Sequence, residues 1–181
     1  MDGEITDLLQ RYLEERSPEG FMQLREAVAA SPDYVPYGTS LESVLSTVEE
    51  DDYEKAKVAL LGIVRGCLLN PGIHTLLAFV YHKLGDEVAA NIEFELGARC
   101  LEGILSTGSG EETHPYLVLH TADEYDVLEH LGKKSLNQAL VLATTPQTKA
   151  YDRHDCEDGV TLWFDVTTPY ALMAASPGRK T

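Results

Sequence analysis

The chain has 181 residues, of which 44% are apolar and 24% are charged, and its formal net charge is −16. This composition is that of a globular protein able to bury its own core, and it excludes an intrinsically disordered chain. Direct nucleic-acid binding is disfavoured as well, because so acidic a surface repels phosphate backbones.

The first residues and the cysteines indicate the compartment. Residues 1–7 are acidic where a signal peptide is basic and then apolar, and no apolar run is long enough to span a membrane. Cys67, Cys100 and Cys156 are isolated in the sequence, which favours a reducing environment over disulfides or a thiolate metal site. We therefore expect a cytoplasmic protein that uses no cofactor and does not contact a membrane.

Two helices are predicted over the first thirty residues. Apolar residues recur at helical spacing from Ile5 to Leu13. Ser17 followed by Pro18 is typical of a second helix start, since Ser caps a helix and Pro is tolerated in its first turn. Phe21, Leu24 and Val28 form the apolar stripe of that second helix. Residues 31–38 contain two prolines and a glycine and predict a loop.

The next two helix pairs carry a repeat with a period of 34 residues. Matched positions are Val44 and Ala78, Leu45 and Phe79, Asp52 and Asp86, Ala56 and Ala90, and Leu60 and Phe94. This period is that of tetratricopeptide (TPR) repeats, whose small residues let paired helices approach. In the second copy, Ala78 and Ala90 are the small residues, and Tyr81 and Phe94 are expected to fill the space beside them. The sequence thus predicts TPR-like antiparallel helical hairpins over residues 1–105.

The same register predicts a groove on the concave side of the second helix pair. The residues expected to line it are Thr75, Phe79 and His82, and their counterparts in the first pair are Leu41, Leu45 and Val48. Because these three counterparts are all apolar, we expect this face of the first helix pair to be covered from solvent. The protein's own helices are one candidate cover, which we favour, and an amphipathic helix of a partner protein is the other.

After Leu105 the sequence predicts a small α+β domain, residues 106–181. Small and polar residues at 106–115 predict a connector in which Gly108–Gly110 acts as a flexible hinge. Beyond it the predicted order is β-α-β-β-β, in a mostly antiparallel sheet with one helix on a face and a short last helix. The predicted strands are Tyr116–His120, Leu136–Ala143, Tyr151–Cys156 and Val160–Val166, and the predicted helices are Thr121–Leu131 and Tyr170–Ala175.

Local signals set two of these boundaries. Thr121 and Glu124 have the spacing of a capping box at a helix start. Asp123 and Glu124 would then lie in the first turn of this helix, where negative charge is favoured, so a catalytic role is not needed to explain them. Asp158 followed by Gly159 is typical of a hairpin turn between two strands.

Several segments together resemble a known bacterial family. They are Leu101–Gly110, Asp123–Leu128, Leu131 with Gly132, Gln138, and Leu162–Val166 with Pro169. In these the chain resembles a family catalogued only as a domain of unknown function, four-nine-one-nine, over residues 20–173. The resemblance implies a helical first part and a small C-terminal sheet, and it implies no catalytic or binding residue.

The densest group of chemically reactive side chains lies in the predicted third strand. Asp152, His154 and Cys156 would share one face of that strand, and such residues could ligate zinc. A zinc site needs further ligands, for which His114 and His120 are the available histidines. The simpler interpretation, which we favour, is a solvated edge strand entering a hairpin.

Other motifs have structural explanations. Cys100 lies within a predicted helix beside Leu101 and is expected to be a small buried residue rather than a nucleophile. Gly108–Gly110 follows a helix and lacks the Lys of a phosphate-binding loop. The acidic run Glu49–Asp52 is expected to cap the next helix and solvate a turn, although it could also meet a basic peptide. Asp86 is likewise expected to cap the helix that follows it.

Three hypotheses about function remain. The first is a non-catalytic protein-interaction module or scaffold whose partner is basic or presents an amphipathic helix. The second is a small enzyme, or a protein that binds a ligand or metal, using the C-terminal sheet with His154, Asp155 and Cys156. The third is an acidic mimic of nucleic acid that inhibits a DNA-binding protein.

Overall fold

The computed structural model describes residues 3–36, 41–143 and 148–175, with residues 41–43 described by their backbone alone. Within these ranges the first part of the chain is helical. Its helices are α1 (Gly3–Glu15), α2 (Pro18–Ala30), α3 (Leu41–Glu49), α4 (Tyr53–Ile63), α5 (Pro71–Lys83) and α6 (Glu87–Leu105). A 3-10 turn, Val64–Cys67, continues α4.

The second part, within the same described ranges, is a four-stranded sheet with two helices. Its elements are β1 (Tyr116–Leu117), α7 (Thr121–His130), β2 (Ser135–Ala143), β3 (Lys149–Cys156), β4 (Thr161–Asp165) and α8 (Thr167–Ala175). The fold class is α+β, with helices first and a small mixed sheet after them. The predicted order of strands and helices is therefore confirmed, although β1 ends at Leu117 rather than His120.

Side-chain caps fix where the helices of the first part begin. Ser17, Asp52 and Asp86 each accept a hydrogen bond from a backbone N–H in the first turn of α2, α4 and α6, as the sequence predicts. Asn70 does the same for α5, with Pro71 in the first turn behind it. These caps satisfy N–H groups that have no partner within the helix, so each helix starts at a defined residue.

α5 and α6 pack closely along each other because small residues line their contact. Ala78 and Ala90 are buried, as the repeat predicts. At Gly97 in α6, a Cβ atom would lie 3.1 Å from the Pro71 carbonyl oxygen and 3.2 Å from the His74 Cβ atom. The expectation for Phe94 is wrong, because its side chain is 59% exposed and fills no gap between the helices.

The strand order across the sheet is β1-β4-β3-β2. β2 pairs antiparallel with β3 and β3 antiparallel with β4, while β1 lies parallel to β4. β3 is therefore a central strand, and the prediction that it is a solvated edge strand is wrong. The edge next to β3 is formed by β2, whose register contains an irregularity between Ser135 and Asn137.

Among the residues that the structure describes, two hydrophobic clusters form the core. The smaller one joins α3, α4 and α5 and includes Val44, Ala56, Leu60 and Leu77. The larger one joins α1, α2 and α6 to the sheet and α7, and it contains residues such as Phe21 and Leu24 together with Val127 and Phe164. The larger cluster thus contains residues from both sides of the predicted boundary at residue 105; the division into two domains stays a prediction.

Hydrogen bonds join the two parts near β1. Arg25 donates from Nη2 to the Val118 carbonyl at 3.2 Å, and the Tyr34 hydroxyl donates to the Leu119 carbonyl. The connector is also held in place, because the Ser109 and Gly110 N–H groups both donate to the His114 carbonyl, at 2.9 and 3.0 Å. A Cβ atom at Gly108 would lie 2.3 Å from the Pro115 carbonyl oxygen, so this glycine permits close packing and not the predicted hinge.

The start of α7 differs from the predicted capping box by one residue. His120 is the N-cap, and the Asp123 carboxylate accepts hydrogen bonds from the Leu119 and His120 N–H groups, at 3.0 and 2.9 Å. With the helix starting one residue earlier, Asp123 takes the capping position, and the Glu124 side chain is buried in the core instead. Among the described residues, no helix is both long and apolar enough to cross a membrane.

Candidate functional site

An open groove of about 790 Å³ lies between α5, α6 and α7. Its apolar lining residues are Leu45, Leu76, Phe79, Phe94, Ala98 and Leu101, and α7 contributes Ala122, Tyr125, Asp126, Glu129 and His130. The groove exists because small residues bring α5 and α6 close together while α7 crosses beside them.

Two of the three predicted groove residues line this surface. Thr75 and Phe79 do so, but the Thr75 hydroxyl donates to the Pro71 carbonyl at 3.0 Å and is thus already engaged within its helix. His82 is not among the lining residues, and its Nδ1 atom lies 2.8 Å from Glu87 Oε1 in an exposed pair. Sequence reasoning missed α7, because no helical-repeat pattern indicates which helix closes the open side.

The apolar part of the groove is exposed to solvent. Phe79 is 41%, Leu45 47% and Phe94 59% exposed. Our expectation that the protein's own helices cover this face is therefore wrong at Leu45; Val48 is partly buried against the smaller core cluster, and the Leu41 side chain lies outside the described residues. Phe79 is held by its edge-on contact with Tyr53, at 6.1 Å between ring centroids, so it presents a fixed surface.

The α7 side of the groove is acidic. Asp126 accepts a hydrogen bond from the Gly72 N–H at 3.1 Å, and Glu129 lies one helical turn further along. Burial and the nearby Asp123 carboxylate raise the pKa of Asp126 to about 6, although the Gly72 hydrogen bond acts in the opposite direction. A carboxylate in this position is stabilised in its charged form by any cation that enters the groove.

A second group of polar residues lies beneath α7, against β2 and β3. Glu124 and His154 are both fully buried, and His154 Nε2 lies 2.7 Å from Glu124 Oε2. His154 Nδ1 is 2.9 Å from the Ser135 hydroxyl. The Gln138 amide donates to Glu124 at 3.3 Å and to Asp152 at 3.0 Å. We call Glu124, Asp152 and His154 the buried polar cluster.

The protonation states within this cluster follow from its burial. Burial raises the pKa of Glu124, and the charge of Asp152 and a hydrogen bond to its carboxylate raise it further, to about 9. Burial also lowers the pKa of His154. A protonated Glu124 can donate to Asp152 and accept from a neutral His154 at Oε2, while its buried Oε1 atom has no hydrogen-bond partner among the described residues.

Within the part of the chain that the structure describes, the cluster is shielded from solvent, with Glu124 and His154 at 0% and Asp152 at 7% exposure. Tyr125 and Gln138 lie over it and are hydrogen bonded to each other at 2.8 Å, from the Tyr125 hydroxyl to Gln138 Oε1. Across the described ranges, no three or more His, Cys, Asp or Glu side chains come together in a way that could hold a metal ion. The structure thus brings Asp152 and His154 together, as predicted, but their partner is Glu124 of α7, which the sequence pattern assigned to helix capping.

The remaining candidate residues have structural surroundings. Cys100 is buried and burial raises the pKa of its thiol, which makes it a poor nucleophile. Burial lowers the pKa of His120, but Asp123, whose carboxylate lies 3.6 Å from His120 Nδ1, and Cys67 together raise it more, to about 10. His114 is exposed and lies 3.1 Å from the Thr113 hydroxyl, in a different part of the fold from His154.

Comparisons of this chain with models of protein families, with curated proteins and with solved structures find no match. The resemblance described under Sequence analysis therefore stays a prediction, and the function has to be argued from the two sites above.

Proposed function

We propose that this protein is a non-catalytic protein-interaction module whose groove between α5, α6 and α7 binds an amphipathic, basic helix of another protein. The observation that carries this proposal is the pairing of exposed apolar side chains with acidic ones in one groove. Phe79 and Phe94 would contact the apolar face of the helix, and Asp126 and Glu129 its basic residues.

The apolar side chains supply the affinity in this proposal. Exposed aromatic residues in a concave surface are the usual anchors of helix-in-groove recognition, because they bury a large area with little loss of side-chain freedom. Phe79 is already fixed against Tyr53, which lowers the entropic cost of binding further. Leu45 extends the same apolar surface toward α3.

The acidic side chains supply direction and rate. A net charge of −16 attracts basic partners from solution and repels acidic ones. Within the groove, both carboxylates come from α7, so a basic residue on the bound helix is expected on that side. The catalytic hypothesis is less well supported, because the buried polar cluster is covered by Tyr125 and Gln138.

The test uses synthetic helical peptides that differ only in charge. One carries an apolar stripe flanked by Lys, and the matched peptide carries Glu at the same positions. We expect the basic peptide to bind, measured by fluorescence anisotropy, and the acidic peptide to bind at least ten-fold more weakly. If neither peptide binds at millimolar concentration, or if the acidic one binds better, the proposal is wrong.

The location of binding is tested with matched variants of α6. Phe94→Glu places a charge in the groove, whereas Ile92→Glu places the same charge on an exposed residue outside it. Phe94→Glu is expected to weaken basic-peptide binding at least ten-fold and Ile92→Glu less than two-fold. Equal losses would show that the peptide binds elsewhere, and a thermal melt of each variant checks that both remain folded.

A further inference from the structure

The outer edge of β2 is an unusual strand edge for so charged a protein. Its nine residues, Ser135–Ala143, include no charged residue, no proline and no glycine. Within the described residues, β2 pairs on one side only, with β3. Alternate N–H and C=O groups on its other side therefore point outward, as a template for another strand.

Apolar side chains of β2 are exposed next to this edge. Leu140 lies opposite Asp152 and Leu142 opposite Ala150, so both are on the sheet face that carries the core. Nevertheless Leu140 is 50% and Leu142 47% exposed. The sheet at β2 thus extends beyond the elements that cover its central strands.

The local charge identifies the kind of partner. Two copies of a chain with net charge −16 repel each other over most of their surfaces. Near the start of β2, Lys133 is paired with Asp158 at 2.5 Å and Lys134 with Glu157 at 3.6 Å, and β2 itself carries no charge. A basic partner gains nothing from such a neutral surface, whereas a second acidic copy can approach through it.

We propose that β2 pairs antiparallel with β2 of a second copy of this chain, which makes one continuous eight-stranded sheet in a two-fold symmetric dimer. Such pairing is self-complementary, since the same strand is both donor and acceptor of the ladder. A pair centred on Val141 places Leu140 of each copy opposite Leu142 of the other, on the same face of the sheet. This interface is separate from the groove and does not depend on the proposed function.

The dimer is expected to be of modest affinity. Two nine-residue strands bury less than the roughly 800 Å² per partner of a standard interface, so we expect a Kd on the order of micromolar. Repulsion between the two acidic copies opposes association, and salt screens it. The proposal therefore predicts that the dimer becomes tighter, with a lower Kd, as the salt concentration rises from about 0.05 to about 0.5 M.

Analytical ultracentrifugation of the whole chain over about 1 to 500 µM tests the proposal. We expect a reversible monomer–dimer equilibrium in the wild type, and at least a ten-fold weaker association in Leu140→Lys, because a Lys on an edge strand opposes strand pairing. Val58→Lys makes the same change of charge at an exposed position of α4 and should alter association less than two-fold.

Each other outcome overturns the proposal. A wild type that stays monomeric at 500 µM and 0.5 M salt shows that β2 does not self-pair. A dimer that Leu140→Lys and Val58→Lys weaken equally uses another surface. Hydrogen exchange supplies a second readout: amides of β2 should become protected as the concentration rises, and unchanged exchange across a dimerising range contradicts the proposed pairing.

Discussion

The two polar faces of α7 differ in their access to water. The buried face stabilises the fold, whereas the exposed face is available to a partner. Glu124 faces inward, where it meets His154 in the buried polar cluster. Asp126 and Glu129 face the open groove. The residue types usually associated with catalysis are therefore on the closed side, whereas the side open to a partner is apolar with an acidic border.

This comparison shows why reactive residue types alone are a poor guide to an active site. The contact of Glu124 with His154 ties α7 to the sheet, because separating the two would leave both buried polar groups without this partner. Tyr125 belongs to both sides, since it lines the groove and its hydroxyl donates to Gln138 above the cluster. The contacts of the buried polar cluster therefore also help to position Tyr125, which lines the groove.

The largest effect expected is the loss of stability in His154→Ala. The change leaves a cavity and removes the partner of Glu124, so the free energy of unfolding should fall by about 3 kcal/mol in urea denaturation. His82→Ala is the matched control, because His82 also pairs with a Glu, Glu87 at 2.8 Å, but on the surface. The control should change stability by less than about 0.5 kcal/mol; equal losses would contradict the distinction between the two sites.

An intermediate effect is expected for Glu124→Gln, which sharpens the assignment of protons. The pKa of Glu124 is raised from 4.5 to about 9 by burial and by Asp152, so the folded state binds a proton that the unfolded state has released between these values. The free energy of unfolding therefore falls as pH rises through this range and levels off above about 9. Gln can donate to Asp152 and accept from His154 without titrating.

The measurement for Glu124→Gln is urea denaturation at several values from pH 7 to pH 9. The ordinary His pKa of about 6.5 lies below this pH range, so His154 is neutral in both the folded and the unfolded state. We expect the variant to be more stable than the wild type at pH 8, by on the order of 1 to 3 kcal/mol, and to have a shallower downward slope, because the raised pKa of His120 still contributes a slope of the same sign. A wild type whose stability is constant from pH 7 to pH 9 would show that Glu124 holds no proton there.

The smallest effect concerns the groove and depends on the proposed function. The pKa of Asp126 is about 6, so its negative charge is lost as pH falls below that value, and a basic peptide should bind several-fold more weakly at pH 5 than at pH 7.5. Asp126→Asn should remove this pH dependence; an unchanged ratio between the two pH values in that variant would show that Asp126 is not its source.

The sequence was sufficient for the fold where its signals are local. Ser17, Asp52 and Asp86 cap helices as expected, and Gly159, with a φ of 82°, forms the turn between β3 and β4. Parallel pairing of β1 with β4 was not predictable, because it depends on a contact between segments about fifty residues apart. In addition, β1 has two residues, which is too short to show the alternation of apolar and polar residues that indicates a strand.

For the sites, the sequence identified parts but not their combination. The 34-residue period placed Thr75 and Phe79 on the groove, while α7, which forms its acidic wall, follows no such period. The alternation along β3 placed Asp152 and His154 on one face, but their burial depends on which strand lies beyond β3. Glu124 was missed because a capping-box pattern and a buried acid have the same local sequence, and only a shift of one residue distinguishes them.

The core that α1, α2 and α6 share with the sheet has an evolutionary consequence. Arg25 and Tyr34 bond to the backbone of Val118 and Leu119, and Phe21 belongs to the same cluster as Phe164. Recombination that exchanged the first hundred residues for those of a distant relative would therefore pair mismatched halves of one interior. Natural variants of this protein should inherit both parts together, and insertions should be tolerated at surface turns such as that at Gly85 rather than at the junction near residue 105.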